Sequence, residues 1–381
     1  MSQAEPILSA HVMVAGAGPA GLAAALAAAR NGANTLLVDS HNEVGGTVTH
    51  AGICSVCGLF APDRPYPEYV AGPEAIKWAK SLGGHVVRMG RLFVLTLNPG
   101  AFTATARGFL DDCPNLTICL GCRLKSGMRL RVRVLVDCTG CAALAHLLGR
   151  SVRQTEPACP ALGFRISGVD LKRLAPGCLN ILRHLEKEAP GCLFRLYPDF
   201  SNPGGEIPGF LNLPPVIRPA DQRSLYEKAL RELERILTLL RAYQQGFRMV
   251  NLAWVAEEIG FRSGETIVGE DTLDIDLALN ETSDQEQAHS WWPVEHWTGT
   301  TGPCFTYPGP AGYLITDGCL MSPGEPPLFA AGMSLSATSK GQASSRVIAA
   351  CLDTGFRAGT LAAEAASDGQ TYDIYLQDYI T

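Results

Sequence analysis

With 381 residues, 46% of them apolar and 18% charged, the chain can bury a sizeable core, which excludes a disordered or low-complexity protein. A net charge of −6 without any basic patch excludes a nucleic-acid-binding surface. Thirteen cysteines scattered through predicted strands and helices read as thiols of a reducing compartment, and the expected location is cytoplasmic.

The first predicted unit spans Val12 to Asp39: an apolar strand (Val12 to Ala15), the turn Gly16-x-Gly18-x-x-Gly21 carrying Pro19 and Ala20, an alanine-rich helix, and the strand Thr35 to Val38 ending in Asp39 and Ser40. Gly16 allows the tight turn, Gly18 lets backbone approach a pyrophosphate, and Gly21 lets helix pack on strand. The pyrophosphate sits at the helix N-terminus, and Asp39 accepts from ribose hydroxyls. This is the longest apolar run near the N-terminus. Arg30 and Asn31 cut it and no basic segment precedes it, so it reads as neither signal peptide nor membrane span.

Glu43 to His50 follows as a glycine-rich loop, with Gly45, Gly46, Thr47 and Thr49 able to pass close to a ligand. Gly72 to Leu82 reads as a helix, Val86 to Leu95 and Leu116 to Leu120 as strands, and Arg123 to Arg133 as the polar edge of a hairpin. Arg131 to Val136 reads as one buried parallel strand leading into Asp137-Cys138-Thr139-Gly140. From Ser151 the texture changes to short strand-like runs (RISGVD, CLFRLYP, GFLNLP) that suggest an antiparallel sheet, followed by an amphipathic helix opened by Pro219 and Asp221. Ser290 to Pro310 reads as an aromatic loop containing Trp291, Trp292, His296, Trp297 and Tyr307. A strand from Leu328 to Ala331 reaches Gly332 and Met333, and Ala337 to Ala365 reads as one helix with a small-residue face.

Three C-x-x-C pairs occur. Cys119 with Cys122 and Cys138 with Cys141 read as small buried residues; Cys54 with Cys57, just after the glycine-rich loop, is the pair with a candidate redox role. No metal site is expected.

These segments together resemble the FAD-dependent oxidoreductases of the glutathione-reductase superfamily, in the branch with flavin monooxygenases, tryptophan halogenases and fumarate-reductase-like enzymes. AGAGPAG with Asp39 is similar to the ADP-binding unit, EVGGTVTH to the loop that passes the flavin, LVDCTGCAALAHLLG to the strand and turn closing the nucleotide domain, RSGETIVGEDTL to a segment before the last third, and LFAAGMSLSATSKGQASSRVIAACLDTGFRAGTLAA to the C-terminal flavin segment. The resemblance implies an α/β fold: a discontinuous Rossmann-type FAD-binding domain (1–150 and 301–375) with an inserted antiparallel-sheet and helix domain (151–300) that shapes the substrate pocket. It also implies that the helix starting near Ser339 to Gly341 points its N-terminus at the flavin pyrimidine ring. Met333 departs from it, because many relatives place there an Asp that contacts the ribityl chain; Ser334 or Ser336 are the substitutes. Trp291-Trp292-Pro293 is not the Trp-x-Trp-x-Ile-Pro pattern of the halogenases.

The cofactor-binding set is therefore Gly16, Gly18, Pro19, Ala20, Gly21, Asp39, Ser40, Gly45, Gly46, Thr47, Thr139, Gly140, Gly332, Met333 and Gly341. The catalytic candidates are His50, Lys340 and His296: imidazoles titrate near neutrality, and a lysine beside a flavin stabilises anionic charge. His50 has a plainer reading, a bond to a phosphate or a backbone carbonyl. With one dinucleotide fold and no second glycine turn, the leading expectation is a single-component flavin monooxygenase hydroxylating an organic substrate, aromatic or peptide-borne. NAD(P)H arrives as a transient reductant, or a partner reductase supplies electrons. The alternatives are an FAD dehydrogenase or oxidase, and a flavin-binding protein that scaffolds or senses redox state.

Overall fold

The computed structural model describes residues 7–53, 55–174, 193–197, 205–219, 221–243, 246–275, 288–297, 303–309 and 312–377. Its centre is a six-stranded sheet of β1 (Val12–Ala15), β2 (Thr35–Val38), β3 (Leu116–Cys119), β4 (Val134–Asp137), β5 (Met321–Ser322) and β6 (Leu328–Ala330), in the order β5-β6-β4-β1-β2-β3. All neighbours run parallel except β5 on β6. Every residue of β1, β2, β4 and β6 is buried, so these strands are apolar without alternation apart from Thr35 and Asp137 at their ends. Helices cover one face. The other is covered by a three-stranded sheet of Leu8–Ser9, Arg129–Val132 and Tyr372–Tyr375, with Met13, Leu36, Leu130, Val132 and Leu135 in the shared core.

The chain leaves β1 toward β2 on one side and returns to β1's other side as β4. The carboxyl ends of β1 and β4 thus flank the point where strand order reverses, the crevice in which such sheets bind ligands. Helix α1 (Pro19–Arg30) follows β1, and all of it but Arg30 is buried. Near the C-terminus come α2 (Ser339–Ser345) and α3 (Ile348–Ser367). Side chains at Gly355 and Gly359 would overlap the carbonyl oxygens of Ala20 and Ala24, so α3 lies on α1 with backbones nearly touching. The carboxylate of Asp353, on α3, accepts from the N–H of Gly72 (2.7 Å) and Ala75 (3.0 Å), capping the helix Pro73–Leu82.

A second, antiparallel sheet is inserted between the two parts of this unit, with Leu193–Leu196, Ile207–Asn212, Ala161–Ser167 and Asn251–Val255 side by side. The amphipathic helix Arg223–Tyr243 buries Ala229, Leu233, Ile236, Leu237 and Leu240 against Leu162, Phe164, Ile166 and Leu211 of that sheet.

Several sequence expectations are corrected. Val86 to Leu95 is two strands, His85–Met89 and Leu92–Thr96, joined through Gly90 at φ +63. Arg131 to Val136 is also two: the N–H groups of Arg133 and Val134 both donate to the His11 carbonyl, so the chain jogs there and passes from the three-stranded sheet into β4. Arg123 to Arg133 forms no hairpin edge, since Arg129–Val132 pairs with Leu8–Ser9 and Tyr372–Tyr375. Pro99–Asp111, unassigned from sequence, is a helix capped by Asn98. Thr47–His50 is one helical turn rather than loop. The aromatic segment contributes paired strands, Ala288–Ser290 on Tyr313–Ile315 and Val294–His296 on Cys304–Thr306. The single C-terminal helix is interrupted at Arg346 and Val347. Glu295 holds Arg346 at 3.3 Å, and Val347 turns extended (ψ 153) to pack with Leu92, Val94 and Trp292.

Candidate functional site

A cavity of about 600 Å3 opens at the strand-order reversal. The turn after β1 forms its floor. Gly16 has φ +101, and a side chain there would sit 2.7 Å from the Cys138 carbonyl carbon, so this turn tolerates only glycine. Gly21 packs against Gly16, as the spacing predicts, and is not part of the cavity lining. Gly18 differs: it is extended (φ −75, ψ −179), and a Cβ there would meet nothing closer than Gly46 Cα at 3.8 Å. The space a side chain would take belongs to the cavity. Pro19 at the first helical position lacks an N–H and presets φ, and the following first-turn N–H groups have no helical acceptor.

Asp39 closes the end of β2. Its Oδ2 accepts from the N–H of Ala17 at 2.5 Å, and its Oδ1 from the N–H (2.8 Å) and Nδ1 (2.9 Å) of His41. His41 Nε2 reaches Glu258 Oε1 at 2.8 Å, and the His50 ring stacks on the His41 ring with centroids 4.0 Å apart. Burial works to raise the Asp39 carboxyl, but hydrogen bonds from His41 and Ala17 outweigh it, and its pKa lies below the ordinary value. The bonds to Asp39 and then Glu258 push His41 up to about 10. Glu258 belongs to the inserted unit, and its N–H donates to the His50 carbonyl at 3.1 Å. Gly52 admits the Trp254 ring, 2.7 Å from where a Cβ would lie, so the inserted sheet rests directly on the loop after His50.

The turn after β4 supplies the opposite wall. Asp137, fully buried, accepts at Oδ1 from the Thr139 N–H (3.0 Å) and hydroxyl (2.7 Å) and at Oδ2 from the Ala145 N–H (3.0 Å). Thr139 and Gly140 line the cavity, and Gly140 has φ +75 with open space where a Cβ would be. Ser334 is consumed here: its hydroxyl accepts from Gly140 (3.0 Å) and Ala142 (3.2 Å) and donates to Asp137. Ser336 is buried beside Thr272. Neither serine lines the cavity, so neither replaces the acid missing at Met333, which does line it.

Of the residues singled out from sequence, the structure brings Gly16, Gly18, Pro19, Ala20, Asp39, Ser40, Gly46, Thr47, His50, Thr139, Gly140, Gly332 and Met333 to this one cavity. Gly45, Gly341 and Lys340 are outside its lining, and Lys340 is exposed. Gly341 packs against the Leu273 carbonyl, and Gly45 donates its N–H to Ala17. The helix proposed to start at Ser339 is short, and Ile348 at the start of α3 is the helix terminus beside the cavity. His296 faces a separate small niche. His50 Nε2 lies 3.1 Å from the Glu43 carbonyl, the plainer of its two readings. Cys54 lies outside the described residues, and Cys57 packs with Leu92, Val94 and Trp292 away from the cavity. Cys122 is half-buried and lines the cavity, with a raised pKa from burial and then from Cys119, so this pair is not simply core. Sequence reasoning missed His41, Arg218, Gln222, Glu258, Ile259, Phe261 and Arg346, all in the lining. No spacing connects them with the glycine turn; only His41, two residues past Asp39, carried a local signal.

A mostly parallel sheet whose strand order reverses, with a glycine turn, a terminal acid and a cavity at the reversal point, defines a dinucleotide-cofactor protein of the Rossmann class. The sequence matches the FAD dependent oxidoreductase family over residues 11–378, and the chain belongs to that family. No curated protein matches it. Among solved structures it is similar to a geranylgeranyl bacteriochlorophyll reductase-like protein of Thermoplasma acidophilum, at 13% identity over 94% of this chain and 79% of that one, with a TM-score of 0.45. It is also similar to the p-nitrophenol 4-monooxygenase of Pseudomonas putida, at 11% identity over 70% of each chain and a TM-score of 0.39. A third is the anhydrotetracycline hydroxylase of Streptomyces rimosus, at 14% identity over 69% of this chain and 55% of that one and a TM-score of 0.41.

The residues present fit FAD. The open space at Gly18 and Gly140, the first-turn N–H groups of α1, and a partly buried carboxylate at Asp39 with one lone pair left on Oδ2 match a pyrophosphate and a ribose. Among the described residues no helix is long and apolar enough to cross a membrane, and no cluster of metal-ligating side chains occurs.

Proposed function

We propose that this FAD-dependent oxidoreductase is a single-component flavin monooxygenase that hydroxylates an organic substrate, with NAD(P)H docking transiently as reductant. The reading places it in the glutathione-reductase superfamily, on the flavin monooxygenase, halogenase and fumarate-reductase-like branch, with the cofactor unit in 1–150 and 301–375, the substrate unit in 151–300, and a cytoplasmic location. The observation that carries it is the shape of the site: one glycine turn opens into one cavity that continues to Arg218, Phe261 and Arg346, and the described residues hold no second nucleotide turn for a resident nicotinamide.

The cofactor supplies the electron-transfer and oxygen chemistry when bound. Gly16, Gly18, Pro19, Asp39, Ser40, Gly46, Thr47, Thr139, Gly140, Gly332 and Met333 form its cradle. Beside it, His50 is oriented from two sides, by the Glu43 carbonyl and by the His41 ring. A carbonyl facing Nε2 assigns the proton to that nitrogen, which leaves Nδ1 to accept a proton from a substrate hydroxyl. The inserted sheet is seated on Gly52 through Trp254 and so fixes the loop that carries His50.

The test is oxygen-18 labelling: FAD-loaded protein, NAD(P)H and a panel of aromatic and peptide substrates under labelled dioxygen should give product carrying one labelled oxygen. Bleaching of the flavin by substrate alone under anaerobic conditions, with no label uptake under labelled dioxygen, would overturn the reading in favour of a dehydrogenase. A colourless protein that FAD cannot reconstitute would remove both.

A further inference from the structure

Next to the large cavity is a niche of about 20 Å3 whose walls include Arg262, Ser263, Glu295, His296, Trp297 and Arg346, with the exposed Glu156 at its rim. Arg346 lines both spaces and is their shared wall. Its Nη2 lies 3.3 Å from Glu295 Oε2, which also accepts from Trp292 Nε1 at 3.3 Å. Arg262 donates from Nη1 to the Cys159 carbonyl at 2.6 Å and stacks 4.2 Å above the Trp297 ring, and no carboxylate among the described residues pairs with it. Two guanidiniums therefore share one carboxylate within the wall. Burial, and then repulsion from Arg346, push Arg262 down to about 10.

Two further donors belong to side chains of the same wall. Trp297 Nε1, in a residue only 8% exposed, and Arg346 Nε are both buried and find no hydrogen-bond partner among the described residues. Buried N–H groups are rarely left unpaired, and a buried guanidinium without a counter-charge is costlier still. The missing component is thus an acceptor with one negative charge. The niche has room for one such group but not for an aromatic body, since a single water already needs roughly 10–15 Å3.

We propose that this niche holds the carboxylate of the substrate, gripped by Arg262, Arg346 and the Trp297 indole N–H, so that the substrate is an organic acid whose body passes Arg346 into the large cavity. Guanidinium forks match the planar carboxylate, and the single uncompensated charge matches a monoanion. This rests on the reading of the large cavity as the place where substrate meets the cofactor. His296 then serves the acid's anchoring end rather than the chemistry.

Binding tests it without turnover. FAD-loaded protein is titrated with acetate, benzoate and indole-3-acetate, each against its neutral amide and against sodium chloride, following flavin absorbance and calorimetric heat. At least one acid is expected to bind about tenfold or more tighter than its amide, the factor of a charge-assisted hydrogen bond. Arg262→Met should abolish that preference and Arg262→Lys restore part of it. Trp297→Phe, which keeps the ring and removes only the N–H, should weaken the acid several-fold and leave the amide unchanged. FAD content and melting temperature of each variant separate misfolding from lost recognition. No preference of any acid over its amide, a preference that survives Arg262→Met and Trp297→Phe in folded protein, or chloride binding while none of the acids does, would overturn the proposal. Acid binding without label uptake in the oxygen-18 experiment would leave it standing and sink the monooxygenase reading instead.

Discussion

Gly18→Ala is expected to separate cofactor binding from folding. The backbone there is extended at φ −75 and ψ −179, which alanine adopts without strain, and the new methyl would meet no protein atom closer than 3.8 Å. Apoprotein stability should therefore be unchanged or raised by up to about 1 kcal/mol, because alanine restricts the unfolded chain. The methyl instead occupies the space reserved for the pyrophosphate, forcing it away from the first-turn N–H groups of α1. Losing one charge-assisted hydrogen bond costs about 1.5–3 kcal/mol, roughly a 10- to 150-fold weaker Kd for FAD. Fluorescence-quench titration of apoprotein with FAD measures this, and thermal melts of the same samples measure the fold. Gly16→Ala is the control with the opposite signature: at φ +101 and 2.7 Å from the Cys138 carbonyl carbon, it should lower the melting temperature before any FAD is added. If Gly18→Ala bound FAD as tightly as the parent, the cradle would be misplaced.

Two further outcomes follow from titratable groups. Asp353→Ala removes the acceptor for two helix-start N–H groups and should cost about 1–3 kcal/mol by denaturant unfolding. Because burial raises the Asp353 carboxyl to about 6, its favourable contribution is fully present below the ordinary value of 3.8 and is lost as pH rises through about 6; the gap between parent and variant should be wider at pH 4.5 than at pH 7.5, and a constant gap would refute this assignment. For His41→Gln the sign is the same with a different window. The pKa of His41 is raised from 6.5 to about 10, so the parent's advantage should be complete below pH 6.5 and vanish as pH passes about 10, read from apoprotein unfolding at pH 6, 8 and 10.

Legibility of the chain depended on whether a function was local. The glycine turn, Asp39 and the Asp137 to Gly140 turn could be read because each is set by backbone geometry and a few neighbours in sequence. The amphipathic stripe from Ala229 to Leu240 was legible for the same reason. What was not legible is where strands end. Arg131 to Val136 carries one uninterrupted pattern, yet the His11 carbonyl, over a hundred residues away, bends it into two sheets. The break at Arg346 is equally invisible locally, because it answers to Glu295 on another strand. Lys340 looked well placed beside the flavin segment, but the helix turn carrying it leaves it at the surface. The clasp of Asp39, His41 and Glu258 spans 219 positions and needs coordinates to be seen.

The embrace of α1 by α3 has a consequence for the order in which the protein can be made. β1 and α1 emerge early, whereas β6 and α3, which seal the same sheet and lie on the same helix, come from residues 328–367. At roughly 5–20 residues per second, the nascent chain waits on the order of 10–40 s between completing the Asp137 to Gly140 turn and making β6. During that interval the alanine face of α1 and the edge of β4 are uncovered. The cradle is therefore incomplete until Gly332 and Met333 are made, so cofactor can be held by all of its residues only once β6 has joined the sheet.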